Sequence, residues 1–177
     1  GLATVSIGHP AALADDLEEA SGQYILATPT DGDMNGNESS GLWWLDPSGP
    51  AATLNLPTLP EGWLYEGWAV VNGVPISTGT FASVTGADNS AIYSGTIAGP
   101  PFPGEDFLMN APTGLRSPLD LSGANVVISV EPFPDNSPAP FTLKPLVAQV
   151  PNNAMTHTLL NMGNNAMSSS PTGLVRR

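Results

Sequence analysis

Glycine and proline interrupt this chain so often that long helices have little room to form. Nineteen glycines and nineteen prolines are spread over 177 residues, and both residue types destabilise the interior of a helix. Only the window 10–20 (PAALADDLEEA) has a helical pattern, with a proline at its start and Leu13 and Leu17 four residues apart. The chain is therefore predicted to be all-β, with at most one short helix near its N-terminus.

Short runs of β-branched, aromatic and aliphatic residues alternate with turn sequences along much of the chain. The clearest pair is 65–71 (YEGWAVV) and 74–81 (VPISTGTF), which are separated by Asn72-Gly73. Asn-Gly favours positive φ at both central positions of a type I′ turn, so this pattern predicts a tight hairpin. Pro75 has no amide hydrogen and predicts that the second arm lies at a sheet edge or carries a bulge. Further strands are predicted at 24–28, 42–45, 52–56, 126–130 and 141–150.

The spacing of these strands is typical of two packed antiparallel sheets, so we predict a β-sandwich of the immunoglobulin-like or Greek-key type. Its length suits one domain with a sizeable core. We expect an N-terminal segment at 1–21, the sandwich at 22–150 and a polar C-terminal tail at 151–177 that is ordered if it docks on the domain. The strand 126–130 is apolar on both faces, and we expect it in the core together with Trp68.

The charge balance restricts the classes of partner. Sixteen acidic residues stand against four basic ones, which gives a net charge of −12. Such a chain repels phosphate backbones and anionic lipid headgroups, so no nucleic-acid partner is expected. The absence of cysteine rules out disulfides, zinc–thiolate sites and thiol catalysis. No window approaches the ~20 apolar residues of a membrane span, so direct membrane insertion is not expected either.

The segment 30–38 (TDGDMNGNE) concentrates oxygen-bearing side chains between two apolar runs. Its first half matches the spacing of an EF-hand calcium loop, but Leu42 stands where that loop needs its closing glutamate. A tighter calcium loop is the alternative to a polar hairpin turn, which we favour because Gly, Asn and Asp supply turn conformations. The candidate calcium ligands of this alternative are Asp31, Asp33, Asn35, Asn37 and Glu38.

Glu66 is a second candidate site, because strand alternation places it on the same face as Trp68. A carboxylate buried on that face would need a partner, and Arg116 and Lys144 are the candidate cations. The pattern leaves two interpretations open. Glu66 either belongs to a structural ion pair or an exposed sheet face, which we favour, or has a perturbed pKa at a functional site.

The sequence offers little for enzymatic catalysis. His9 and His157 are its only histidines, and neither G-x-S-x-G nor a phosphate-binding loop is present. Glu105 and Asp106 are a weak candidate acid/base pair, because adjacent carboxylates point in different directions unless their loop brings them together. The tryptophans are expected to fill the core rather than to form a carbohydrate platform: Trp43, Trp44, Trp63 and Trp68.

The segment 65–81 resembles part of the extracytoplasmic C-terminal domain of anti-sigma-K factors. In that family, a strand with a Tyr-x-x-Trp pattern is followed by a glycine-containing turn and a strand of the form P-x-S-x-G-x-F. The family's later strand, which ends in S-x-E-P before a proline-rich turn, is similar to 128–132 (ISVEP) and 135–140 (DNSPAP). The resemblance spans 41–150. The matching positions of the first motif are Tyr65, Trp68, Gly73, Pro75, Ser77, Gly79 and Phe81.

This resemblance implies an all-β sandwich outside the cytoplasmic membrane, either periplasmic, envelope-associated or secreted. Full-length family members hold a sigma factor with a cytoplasmic segment, which one membrane span joins to this domain, whereas the present sequence contains neither part. We therefore expect a non-enzymatic exported domain with a sensing or interaction role in signalling, a protein partner at the cell envelope and no cofactor. The alternatives are a calcium- or glycan-binding envelope module and, less favoured, an acid/base hydrolase that uses Glu66, Glu105 or Asp106.

Overall fold

The computed structural model describes residues 15–32 and 36–170, and its regular structure is almost entirely β-strand. All the strand pairs of this described part are antiparallel, which confirms the predicted all-β class. Its helices are two 3-10 helices, Asp15–Glu19 and Glu38–Ser40, and the α-helix α1, Ala166–Ser169. Its strands are β1 (Ser21–Tyr24), β2 (Gly41–Trp43), β3 (Leu45–Asp46), β4 (Ala51–Ala52), β5 (Leu54–Asn55), β6 (Trp63–Val71), β7 (Val74–Phe81), β8 (Gly104–Asp106), β9 (Asn125–Pro132), β10 (Leu146–Gln149), β11 (Leu160–Asn161) and β12 (Gly163–Asn164).

The largest sheet has five strands in the order β12-β10-β9-β6-β7. Its β6–β7 hairpin turns at Asn72 and Gly73, whose φ angles are 52° and 80°. Both values are positive, as the predicted type I′ turn requires, so the hairpin is confirmed. Pro75 lies on the edge strand β7, where its missing amide hydrogen breaks no ladder bond inside the sheet. The register of the hairpin shifts between Gly67 and Trp68, because Gly67 pairs with Gly79 and Trp68 pairs with Ser77. Thr78 is therefore the extra residue of a bulge in β7.

One face of this sheet packs against a second layer made of the smaller sheets. Val126, Ile128 and Val130 of β9 are fully buried there, as the apolar run predicted. Across the core, Trp44 packs directly on the backbone of Gly67, where an added Cβ atom would lie 2.4 Å from the indole ring. Only glycine fits at that position. Trp43 and Trp44 are buried core residues as expected, while Trp63 is half-buried and packs against Phe141.

The polar C-terminal region is docked on the domain as far as the structure describes it. β11 pairs with β1, and β12 pairs with β10, so this region contributes to both layers. The Asn164 side-chain amide donates to the carbonyl oxygens of Leu17 and Ala20, at 3.0 and 2.8 Å. These bonds fasten the 3-10 helix Asp15–Glu19, which is the described part of the helix predicted at 10–20; residues 10–14 lie outside the described residues.

Several strand boundaries differ from those predicted. The predicted strand 24–28 is replaced by β1, which ends at Tyr24 and is followed by a single bridge between Ile25 and Trp43. β8, β11 and β12 were missed, because two- and three-residue strands without an alternating pattern carry little sequence signal. None of the helices in the described part has the length and apolar character needed to cross a bilayer.

Candidate functional site

The outer face of the five-stranded sheet, opposite the core, carries a group of carboxylates. Strand alternation places Glu66 of β6 and Glu131 of β9 on this face. In the β6–β9 register, Glu66 lies opposite Ser129, and Glu131 lies two residues further along β9. Long side chains can meet across such a diagonal. Asp135, on the loop after β9, completes the acidic cluster, in which one oxygen of each of the three carboxylates lies within 4.8 Å of the other two.

The acidic cluster lines an open cleft of about 350 Å³, named here the outer cleft. The rest of its wall is mainly polar and comes from β7, from the segment that follows β7 and from the loop after β9. One exposed aromatic ring, that of Phe133, also lines it. The outer cleft therefore combines negative charge with neutral hydrogen-bonding groups. The polar side chains are those of Ser77, Thr80, Asn89, Ser90 and Ser137.

The two glutamates of the cluster share the same hydrogen-bonding pattern. Glu66 Oε1 accepts a hydrogen bond from the Ser77 hydroxyl. Glu131 Oε1 accepts from the Ser129 hydroxyl and, at 2.8 Å, from the backbone N–H of Phe141. Both Oε2 atoms are buried and have no hydrogen-bond partner. Buried polar atoms are nearly always paired, so unpaired oxygens on two glutamates of the same cluster need an explanation.

Trp68 fixes the orientation of Glu131 through one intermediate residue. Its indole N–H donates to Ser129 Oγ at 2.8 Å. A serine hydroxyl has a single hydrogen, and because its oxygen accepts from Trp68, that hydrogen remains available for Glu131. Trp68 is only 1% exposed, so its predicted burial is confirmed. Its side chain lies on the face of the sheet that carries Glu66 and Glu131, not on the face that packs against the second layer.

Burial raises the pKa of Glu66 to about 7, against an ordinary value of 4.5, and the charges of Glu131 and Asp135 add to that rise. Burial likewise raises the pKa of Glu131, again with a contribution from Asp135. The Ser77 and Ser129 hydroxyls act in the opposite direction, because they stabilise the ionised forms. Glu66 is therefore partly protonated near neutral pH.

The cations considered as partners for Glu66 lie elsewhere. Arg116 is exposed, and Lys144 Nζ lies 3.4 Å from the carbonyl oxygen of Thr142. The Lys144 charge slightly lowers the pKa of Glu131 but is absent from the influences on Glu66. Within residues 15–32 and 36–170, no lysine or arginine forms an ion pair with the acidic cluster. The structure therefore places Glu66 beside two other acids rather than beside a base.

Glu105 and Asp106 are fully buried on β8, and consecutive strand positions direct them to opposite sides. Asp106 Oδ1 accepts from the Trp43 indole N–H at 2.6 Å, and its Oδ2 accepts from the Thr30 backbone N–H at 2.7 Å and from the Thr30 hydroxyl. Glu105 Oε1 accepts from the Ser94 hydroxyl, which leaves its Oε2 unpaired. The two carboxylates do not converge on a shared space, so the geometry gives no support to an acid/base pair.

The loop 30–38 uses its described oxygens to hold a turn around Thr28. Glu38 Oε2 accepts from the Thr28 backbone N–H at 2.9 Å and contacts His157 Nε2 at 3.1 Å. Asp31 and Asn37 both accept from the Thr28 hydroxyl. Leu42, at the position of the missing closing ligand, is fully buried in β2. The remaining two candidate ligands of this loop, Asp33 and Asn35, lie outside the described residues.

No family model, no curated protein and no solved structure matches this chain. The geometry of the outer cleft is therefore the basis for proposing a function. Sequence reasoning singled out Glu66 but missed Glu131 and Asp135 as site residues. Alternation along β9 placed Glu131 on the same face as Ser129, but only the register of β9 against β6 shows that this face is also that of Glu66.

Proposed function

We propose that this chain is a non-catalytic binding module whose outer cleft receives a positively charged group. The observation that carries the proposal is the pair of buried, unpaired Oε2 atoms on Glu66 and Glu131, next to Asp135 in the same cleft. A carboxylate oxygen is an acceptor only, so these atoms can be satisfied by a donor, a cation or a proton. A cation satisfies both glutamates at once.

The charge of the chain supports a cationic ligand over an anionic one. The net charge is −12, and the outer cleft concentrates three of the acids that produce it. A cleft lined by one sign of charge focuses the field and attracts ions of the opposite sign, while it repels phosphates and carboxylates. Nucleic acids and anionic metabolites are therefore poor candidates for the ligand.

This proposal agrees with the non-enzymatic interaction role implied by the resemblance to anti-sigma-K extracytoplasmic domains. In an exported, envelope-associated location, the positively charged group would be either a metal ion or a lysine or arginine side chain of a protein partner. Both the location and the protein partner are parts of the proposal. The outer cleft supplies the feature that either ligand requires, namely two carboxylates held by one sheet and a third on the adjoining loop.

The test is a thermal melt with a panel of cations: calcium, magnesium, spermidine and a short oligolysine peptide. The parent is compared with the double variant Glu66→Gln/Glu131→Gln and with Glu61→Gln, a control that removes one charge from an exposed position outside the cleft. We expect at least one cation to raise the melting temperature of the parent and of the control, but not that of the double variant. A panel in which no cation distinguishes the parent from the double variant would refute the proposal.

A second candidate function, acid/base hydrolysis, is favoured by one observation: two carboxyl groups converge in a cleft. In retaining glycosidases the two carboxyl groups are about 5–5.5 Å apart. However, such pairs need their pKa values pushed apart, whereas burial raises the pKa of both Glu66 and Glu131. Chromogenic glycosides assayed between pH 5 and 8 test this candidate. We expect no turnover above that of the Glu66→Gln/Glu131→Gln variant.

A further inference from the structure

We infer that the positively charged group is a metal ion of calcium's size, bound by Glu66, Glu131 and Asp135 in the outer cleft. This inference rests on the proposed function and names its ligand. Three carboxylates alone would not identify a site, since acidic clusters are common on an acidic protein. The buried, unpaired Oε2 atoms of Glu66 and Glu131 are the independent observation that points to a ligand.

The first argument is orientation. In each glutamate, Oε1 is held by hydrogen bonds from the protein, while Oε2 is left without a partner. Metal sites have this pattern, because the groups around a ligating carboxylate hold one oxygen so that the other can bind the ion. Ser77 holds Glu66, and Ser129 holds Glu131, with Trp68 behind it. The ligands are therefore positioned before an ion arrives.

Ion size and coordination geometry bear on the choice between calcium and magnesium. Calcium keeps its oxygen ligands at roughly 2.3–2.6 Å, so two of its ligands can lie up to about 4.6–5.2 Å apart. Magnesium holds its ligands at roughly 2.0–2.1 Å, which limits their separation to about 4.2 Å. One oxygen from each member of the acidic cluster lies within 4.8 Å of the other two. This upper bound is compatible with a calcium ion between the three carboxylates. Calcium also tolerates an irregular set of protein oxygens, whereas magnesium demands near-ideal octahedral geometry and keeps several of its waters.

The third argument is ligand chemistry. The cluster offers oxygen ligands only, and the neighbouring side chains of the cleft are hydroxyls and an amide. Hard cations such as calcium prefer these groups, whereas zinc and copper select imidazole or thiolate. The chain has no cysteine, and His157 contacts Glu38 instead of the cluster. The donor set therefore selects a hard ion.

The fourth argument separates a metal ion from a lysine or arginine side chain of a partner. The unpaired Oε2 atoms of Glu66 and Glu131 are buried, and a single ion needs less room to contact them than a lysine or arginine side chain does. A single ion between the three carboxylates contacts all of them. Asp135 is the least buried of the three and lies on the loop after β9. Calcium takes six to eight oxygens, and waters in the open cleft supply the remainder.

The experiment is titration calorimetry of the full chain with calcium and with magnesium, together with melts in calcium and in a chelator. The variants are Glu66→Gln, Glu131→Gln and Asp135→Asn, and the control is Glu61→Gln. We expect calcium to bind more tightly than magnesium, and each cluster variant to weaken calcium binding by about 10- to 100-fold or more. The control should bind as the parent does.

The glutamine variants guard against a trivial loss of folding. Because they remove repulsion between buried acids, their melting temperature in chelator should equal or exceed that of the parent, while their response to calcium disappears. Asp135→Asn, at a half-buried loop position, provides a second variant with less risk to the fold. A raised melting temperature with a lost calcium response supports the site directly.

Three outcomes overturn the inference. If calcium stabilises the parent and the cluster variants equally, the ion binds elsewhere. If the oligolysine peptide or spermidine raises the melting temperature in a way that depends on Glu66 and Glu131, while calcium does not, the proposed function stands and the metal inference fails. If no cation shows such a dependence, both fail.

Discussion

Glu66 and Glu131 of the acidic cluster and Asp106 are all buried carboxylates on β-strands, and a tryptophan indole N–H donates at each of the two sites, directly or through a serine. At Asp106, the Trp43 N–H donates directly, and Thr30 supplies the other donors, so both carboxylate oxygens are paired inside the protein. At the acidic cluster, the Trp68 N–H acts through Ser129, and the donors reach only one oxygen of each glutamate. The protein itself therefore satisfies every oxygen of the Asp106 carboxylate. In the acidic cluster, one oxygen of each glutamate remains available for a ligand.

Glu105 shows that one unpaired carboxylate oxygen is not enough to indicate a ligand site. Its Oε2 is also buried and unpaired, yet its neighbour Asp106 points away from it and is fully paired. Burial raises the pKa of Glu105, so a proton is the simplest way to satisfy a carboxyl group that belongs to no cluster of converging acids. One unpaired oxygen therefore indicates a neutral acid. Several acids that converge on one cleft indicate a ligand.

The largest effect should follow from Trp68→Ala. The side chain is fully buried, and truncating a buried tryptophan costs about 3–5 kcal/mol of unfolding free energy. It also removes the donor that orients Ser129 towards Glu131, so the calcium response should weaken as well. A urea melt measures the first effect. A loss below about 1 kcal/mol would place Trp68 on a surface and remove its role behind the cluster.

The substitutions Asp106→Asn and Glu66→Gln test whether the two carboxylate sites differ in their role. Asp106→Asn replaces one of the two acceptor oxygens by an NH2 group, so either the Trp43 N–H or the Thr30 donors face a nitrogen that cannot accept. We therefore expect a loss of about 2–4 kcal/mol of unfolding free energy. Glu66→Gln removes repulsion and leaves no donor unsatisfied except that of Ser77, which the amide oxygen can accept. Its unfolding free energy in chelator should change little or rise. If the two variants lost equal amounts of unfolding free energy in urea melts, the acidic cluster would be structural in the same way as Asp106.

The pH dependence of the unfolding free energy should distinguish an acidic cluster without a metal ion from one that holds calcium. Burial raises the folded-state pKa of Glu66 to about 7 and, at the half-buried Asp88, likewise to about 7. A raised folded-state pKa gives stability that is present below pH 4 and is lost as the pH rises through 7. Each pH unit between the unfolded-state and folded-state pKa values corresponds to about 1.4 kcal/mol for each group. In chelator, we therefore expect the unfolding free energy to fall by roughly 3–7 kcal/mol between pH 4.5 and 8.

Calcium should reduce that fall, because an ion at the cluster replaces the proton on Glu66. Glu66→Gln should also reduce it, and calcium should then have no further effect. The lowered pKa values of Asp46 and Asp120 act in the opposite sense but only in more acidic solution, outside this window. Urea melts across the pH series, with calcium or chelator, measure all three slopes. Stability that rises steadily towards pH 8 in chelator would contradict the assignment.

Local patterns predicted the elements that have local causes. The Asn72-Gly73 turn, the edge position of Pro75 and the buried strand at 126–130 all follow from short-range rules, and the structure confirms them. The acidic cluster depends on the register between β6 and β9, whose paired residues are about sixty positions apart in the chain. No pattern within a strand specifies that register. Alternation therefore identified Glu66 but not its partner Glu131.

The smallest effect should come from a substitution in the loop 30–38. This loop is a second acidic segment, but unlike the acidic cluster we expect it to bind no metal ion. Its described oxygens hold Thr28, and Leu42 is buried where a closing ligand belongs. Asp31→Asn removes one charge from a chain at −12 and retains an oxygen that accepts from the Thr28 hydroxyl. Exposed charges interact by only about 1 kcal/mol at 4 Å, so the unfolding free energy should change by less than about 1 kcal/mol. Melts in calcium and in chelator should show the same calcium response for Asp31→Asn as for the parent, whereas Asp135→Asn loses it. A calcium response that disappears in Asp31→Asn and survives in Asp135→Asn would move the ion from the outer cleft to this loop.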